Sequence, residues 1–228
     1  MYHIPENISP TDLEHKIEEI FFVVTLLLSG TGRKERNPRL DFFLMHVVTS
    51  SIFLKPICGA LRNADHKAAL LRGFVSTMLV VVLSRGRPRI DAELAMSYTA
   101  FPRPPSSPGN VEPQPSTEAT GNPQVDEDYN PWPRLVEGCL YHSDSHVPKA
   151  IRSLYFAAQE YGDKTSVPGA GSTAVEELHA GIGKVDGTVF VRAAGVIMDT
   201  LGYSGRGQKE GEWDRSALGW DAAWESGD

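Results

Sequence analysis

Apolar residues recur along the first hundred positions at the spacing of buried helices. Ser9 is placed to cap a helix, with Pro10 at its first position and Asp12 in its first turn. Leu13, Ile17, Ile20, Phe21, Val24, Leu27 and Leu28 then fall on one face, and Gly30 and Gly32 end the pattern. Asn37 and Pro38 predict a second start, for a helix that runs through residues 41–54 to about Leu61 and kinks at Pro56. Its apolar residues point to nearly every side, as in a helix surrounded by others. A third helix is expected after Asp65, with Leu71, Phe74, Val75, Met78, Leu79 and Val82 facing the core. Val80, Val81 and Val82 have strand propensity, but the Ala-Ala-Leu-Leu run at 68–71 and the short flanking loops favour helix.

Between Phe101 and Pro133 the apolar pattern stops. Proline, serine, glycine and acidic residues take over, a composition that buries too little surface to offset chain entropy. Periodicity returns near Trp132, first in a segment through Leu140 and then in one carrying Val147, Ile151, Leu154, Tyr155 and Ala158, started or bent by Pro148. Residues 162–173 read as loop and 173–182 as a short helix. Residues 186–203 form a stronger helix, with Val189, Ala193, Val196, Ile197, Thr200 and Leu201 on its core face. In the tail, Trp213, Trp220 and Trp224 are expected to pack as a cluster. The expected fold is therefore all-α and multi-helical, with helical segments 1–100 and 132–228 separated by a Pro-rich disordered linker at 101–131.

Composition narrows the function classes. A chain of 228 residues, 41% of them hydrophobic, supports one sizeable core or two modest lobes. A net charge of -7 argues against a nucleic-acid partner. The apolar runs at 20–28 and 74–83 are shorter than the roughly 20 residues of a bilayer span, so no membrane partner is expected. The first nineteen residues are polar and acidic, unlike a signal peptide. Cys58 and Cys139 are too few for a disulfide framework, so the expected location is cytoplasmic. No phosphate loop, dinucleotide fingerprint, nucleophile elbow or Cys-x-x-Cys pair occurs.

Candidate chemistry concentrates in residues 142–154. On a helix, His142, His146 and Lys149 share one face, and two imidazoles so spaced are able to converge on one ion. A solvated helix cap explains Ser143, Asp144 and Ser145 equally well. Lys149 is either a solvated lysine or a desolvated amine able to form an anionic carbamate, a hard oxygen ligand suited to non-heme iron. His46 lies amid an apolar helix and reads either as a hydrogen-bonded core histidine or as a ligand and acid/base group. Asp41 and Asp144 are alternative carboxylate ligands, or partners that orient an imidazole.

Several blocks taken in order carry a resemblance. Residues 41–54, 70–74 with 85–90, 142–162, 186–195 and 213–224 resemble the second half of the questin oxidase-like proteins of fungi. The resemblance implies an all-helical oxidoreductase that cleaves the ring of an anthraquinone or related aromatic polyketide by a Baeyer–Villiger-type oxygen insertion. It implies O2 and a small aromatic molecule as substrates, NADPH as reductant in some members, and in others non-heme iron held by histidines and a carboxylated lysine. Carried onto matching positions, His46 and Lys149 are the leading metal ligands, followed by His146 and His142. His46 and His146 are also the candidate catalytic groups. Family members are about twice as long, and their N-terminal half holds further histidine motifs that are absent here. The chain is thus expected to match the C-terminal half, to expose apolar surface and to pair with another copy or chain. The alternative is a non-catalytic helical interaction module or an inactive remnant, with a metal-dependent hydrolase as a third reading.

Overall fold

The computed structural model describes residues 3–104, 129–167 and 181–225. Helix α1 (Pro10–Ser29) starts as its sequence requires: the Ser9 hydroxyl accepts from the Asp12 N–H at 3.0 Å. It then runs through the core, where Ile17, Ile20, Phe21, Phe22 and Val24 are almost completely buried.

The second helical stretch departs from its expected form at both ends of its first half. Asp41, not Asn37, is the cap, accepting from Phe43 N–H at 2.8 Å and Leu44 N–H at 3.2 Å. The chain before it is extended because it pairs with the C-terminal segment. Phe42 N–H donates to Asp214 O and Asp214 N–H to Leu40 O, both at 2.8 Å, in an isolated parallel bridge. The helix also breaks four residues before Pro56, into α2 (Phe42–Ser51) and α3 (Leu54–Ala60). Proline has no N–H for the Ile52 carbonyl, and its ring crowds that carbonyl, so the discontinuity falls at Ile52 and Phe53.

Helix α4 (Ala64–Ser84) forms through the three valines as expected, but it is less buried than its apolar face predicts. Ala68, Leu71 and Met78 are buried, whereas Leu79, Val80 and Leu83 are more than half exposed. Among the described residues, Phe42–Ala60 and Ala64–Ser84 are long and apolar enough to cross a membrane by length and composition. Counting contiguous apolar letters gives shorter runs, because a helix continues through its polar positions. A short helix not anticipated from periodicity, α5 (Ala92–Ser97), follows Asp91, whose carboxylate accepts from Leu94 N–H at 3.0 Å.

Helices α6 (Trp132–Cys139), α7 (His146–Tyr161) and α8 (Val189–Leu201) complete the α-helical elements among the described residues, with short 3-10 turns at Ile182–Lys184, Ser204–Arg206 and Asp221–Trp224. The fold is all-α. Helices from both sides of residues 105–128 share one core: α1 and α2 pack on α7 and α8, and Phe22 meets Phe190 with ring centroids 4.9 Å apart. Most of the expected linker lies outside the described residues, but its ends are anchored. Pro102 seats against Gly195, where a Cβ would come within 2.7 Å of it, and Tyr129 is buried. The short helix expected at 173–182 lies almost wholly outside the described residues. The tryptophans do not cluster together. Trp213 joins the main core, Trp224 packs with Leu218 and Ala223, and Trp220 is 58% exposed.

Candidate functional site

The candidate residues separate into two that meet and two that do not. His46 on α2 and His146 at the start of α7 bring their rings to 5.0 Å between centroids. Phe42 completes the group edge-on, 4.6 Å from His46 and 4.9 Å from His146. The Arg215 guanidinium lies 3.9 Å above the Phe42 ring, delivered there by the Asp41–Asp214 bridge and by Arg85, which donates to the Arg215 carbonyl at 2.8 Å.

Hydrogen bonding defines what each imidazole has to offer. His46 Nδ1 lies 2.8 Å from the Phe42 carbonyl, which only accepts, so Nδ1 carries a proton and Nε2 is the nitrogen left for other partners. His146 Nδ1 lies 2.6 Å from Asp144 Oδ1, and the same oxygen accepts from the His146 backbone N–H at 2.9 Å. That carboxylate engages Nδ1 and so fixes the orientation of the His146 ring, leaving Nε2 as the atom that can meet a substrate. Burial pushes the Asp144 carboxyl up, but the two hydrogen bonds from His146 outweigh it and hold Asp144 below its ordinary range. His46 is exposed, contrary to its expected place inside the bundle, because α2 turns residues 43, 46 and 50 away from the core.

His142 and Lys149 do not join them. Helix α7 begins at His146, so His142 precedes the helix and shares no helical face with it. Its ring is buried and fully engaged: Nε2 lies 3.0 Å from the Leu201 carbonyl, and Nδ1 accepts from Asp144 N–H at 3.1 Å. That leaves no lone pair for a metal. Lys149 is exposed, with Nζ 3.4 Å from the Ser145 hydroxyl, and lacks the desolvation that a neutral amine or carbamate requires. Asp41 is spent as the α2 cap and as partner to Arg85 at 2.8 Å, fully buried.

Non-heme iron therefore does not fit the described residues by themselves. His46 and His146 offer two nitrogens, and no group of three histidine, cysteine or carboxylate side chains among the described residues is arranged to hold an ion. The arrangement does suit proton transfer, since one imidazole is aligned by a carboxylate and a second stands beside it.

A cleft of about 890 Å³ opens next to Asp144, between the 142–144 loop, residues 210–216 and Arg39. Ser143 ties its two rims together, donating from N–H to Glu210 Oε1 at 2.8 Å and from its hydroxyl to the other carboxylate oxygen. The Ser143 hydroxyl, followed by its N–H, holds Glu210 below the usual carboxylate range. Arg39, Arg215 and Glu210 were not singled out by residue type or spacing. Arg215 falls within the 213–224 block, so its position was signalled there without its role.

The architecture defines an all-helical protein in which two imidazoles, one of them held by a carboxylate, stand side by side. The chain belongs to the questin oxidase-like family, whose sequence profile matches residues 1–154, a span that holds His46, His142, Asp144, His146 and Lys149. The family's name points to oxidoreductase chemistry. Comparison with curated proteins gives no match.

Proposed function

We propose that the chain acts as an oxygenase on an aromatic polyketide or anthraquinone, with His46 and His146 as its proton-transfer pair. The observation supporting this reading is the 5.0 Å approach of two imidazoles whose Nδ1 atoms are both engaged, one by the Phe42 carbonyl and one by Asp144. A phenolic hydroxyl presented to His146 Nε2 would lose its proton there, and Asp144 would stabilise the imidazolium that forms. The imidazolium so formed returns that proton to the ring-opened product, with His46 beside it as a second base. Phe42 supplies an apolar wall, and Arg215 places a cation beside it to favour a phenolate. In the net reaction one atom of O2 enters the ring C–C bond next to a carbonyl. The other leaves as water, with two electrons and a proton from NADPH and one proton from solvent. NADPH is carried into this proposal by the resemblance alone, and iron enters no step of it.

The test is incubation of the purified chain with an anthraquinone, NADPH and air, followed by mass analysis. Ring-opened product carrying label from 18O2, with loss of turnover in His146→Ala, is the expected result. Unlabelled, unchanged substrate with the native chain sinks the reading.

A second reading, a helical interaction module that pairs with another copy, is favoured by one observation: Phe53, Ile57, Leu79, Val80 and Leu83 are all exposed on α3, α4 and the turn before them. A concentration-dependent dimer without turnover on gel filtration would support it. A catalytically competent monomer would exclude it.

A further inference from the structure

A second cleft, of about 540 Å³, lies where the turn after α1, the 87–91 loop and residues 218–219 meet, and it shares no lining residue with the cleft beside Asp144. Four of the side chains around it are cationic, Arg33, Lys34, Arg87 and Arg89, against the single carboxylate of Asp91. In a chain of net charge -7 this is a local reversal of sign. The cations differ in what they have to give. Arg33 is paired with Asp221 at 2.7 Å, and Lys34 with Glu93 at 3.0 Å and Asp91 at 3.3 Å. Arg87 and Arg89 are exposed and make no ion pair or side-chain hydrogen bond among the described residues.

These two arginines are not on a floppy excursion. Asp91 N–H donates to Gly30 O at 2.7 Å, and Gly219 N–H donates to Arg85 O at 3.0 Å. Gly219 presses so closely on Gly86 that a Cβ would lie 2.3 Å from that residue's backbone. Three loops are thus bolted backbone to backbone, and Arg87 is held at φ 51°, in the left-handed region that a non-glycine residue seldom occupies. The result is a preformed rim with two unneutralised guanidinium forks, the geometry that matches phosphate oxygens in bidentate fashion. Ile90 and Leu218 are the only apolar side chains of the lining, which disfavours a large aromatic occupant.

We infer that this cleft binds the phosphoryl group of a small phosphorylated molecule, gripped by Arg87 and Arg89 with Arg33 and Lys34 reinforcing the field. The inference does not depend on the oxygenase reading. The probe is inorganic pyrophosphate, titrated calorimetrically into the full chain at low ionic strength. Saturable binding is expected, weakening as salt rises. The Arg87→Gly, Arg89→Ala double variant should bind at least about tenfold more weakly, and Arg152→Ala, which alters an exposed arginine of α7, should bind as the native chain does. Glycine at 87 relieves the positive φ, and an unchanged circular dichroism spectrum verifies the fold. Absence of saturable binding overturns the inference, as does equal binding by the double variant. So does co-sedimentation with phosphatidylserine vesicles in the absence of any pyrophosphate affinity, because that would assign the arginines to a lipid surface alongside Leu79, Val80 and Leu83.

Discussion

Asp144 Oδ1 accepts from both the backbone N–H and the ring Nδ1 of His146, at 2.9 and 2.6 Å, so one carboxylate sets the start of α7 and the tautomer of its first side chain. Removing it frees the imidazole to rotate and to exchange tautomers. Asp144→Ala should lower turnover of an anthraquinone by about 10- to 100-fold, the range typical for losing such an orienting partner. It should also convert the His146 ring nitrogens from one tautomer to a mixture, seen as averaged 15N shifts in NMR. Native turnover together with an unchanged tautomer would remove Asp144 from the site.

Lys149 and His46 make opposing predictions. Lys149 lies on the solvent side of α7 and, among the described residues, its ammonium reaches only Ser145, so Lys149→Ala should leave turnover unaltered and stability within about 0.5 kcal/mol. His46→Ala removes one of the two free Nε2 atoms and should lose most activity while the thermal midpoint hardly moves, because the side chain is exposed. If instead Lys149→Ala abolished turnover, a carbamate formed on a conformer other than this one would have to be invoked.

What was legible in the sequence were the features written in local chemistry. Ser9-Pro10 fixes the start of α1, and the 3.6-residue spacing from Val189 to Leu201 fixes α8. The pairing of His46 with His146 was partly legible, because both were chosen for their residue type. His142 does not share a face with His146 because the helix starts only at residue 146, whereas Lys149 lies on that helix three residues after His146 but with its side chain in solvent. What holds His142 elsewhere is a non-local contact: the Leu201 carbonyl takes His142 Nε2, and a helix start cannot foresee a partner 59 residues away. The same holds for the cap of α2. Asn37 is a good cap by composition, but the bridge from Asp41 to Asp214 keeps the chain extended past it. The exposure of His46 escaped for a related reason: an all-round apolar pattern tells that a helix is hydrophobic, not which neighbours are there to cover it.

His142 is predicted to serve stability. It donates to the Leu201 carbonyl and accepts from the Asp144 N–H, so His142→Ala leaves that N–H without its acceptor and empties the space of a buried ring, while the carbonyl keeps the Gly211 N–H at 2.9 Å. A loss of about 1–3 kcal/mol follows, measured as a shift in urea midpoint at constant slope. A variant as stable as the native chain would show that water replaces both bonds at no cost.

Acid sensitivity should centre on Asp214. Burial raises its carboxyl, but the Ser216 hydroxyl and N–H, with Arg39 beside it, more than compensate and hold it below its ordinary 3.8. A carboxyl depressed on folding adds stability that is complete above its unfolded value and is lost as pH falls through the folded one. Urea midpoints measured from about pH 6 down to about pH 2 should therefore fall below about pH 4, and Asp214→Asn should flatten that fall while lowering the plateau. Because Asp214 also bridges to Phe42, the fluorescence of neighbouring Trp213 should change over the same pH window. An identical acid profile in the variant would transfer the effect to other carboxyls.

The severest single truncation should be at Arg85. Asp41 is fully buried, and its two oxygens are divided between the α2 cap and the Arg85 guanidinium at 2.8 Å. Arg85→Ala leaves that carboxylate without its counter-ion, a loss of about 3–5 kcal/mol. It also releases the Arg215 carbonyl, so the cation above Phe42 loses its anchor. Asp41→Asn is the informative companion. The amide oxygen retains the cap, and the cation left behind at Arg85 still donates to the Arg215 carbonyl and lies over the Phe43 ring, so the chain should lose less stability than Arg85→Ala does. Should the two variants prove equally stable, the stranded-charge argument fails, and the region is held by the cap and the backbone bridge alone.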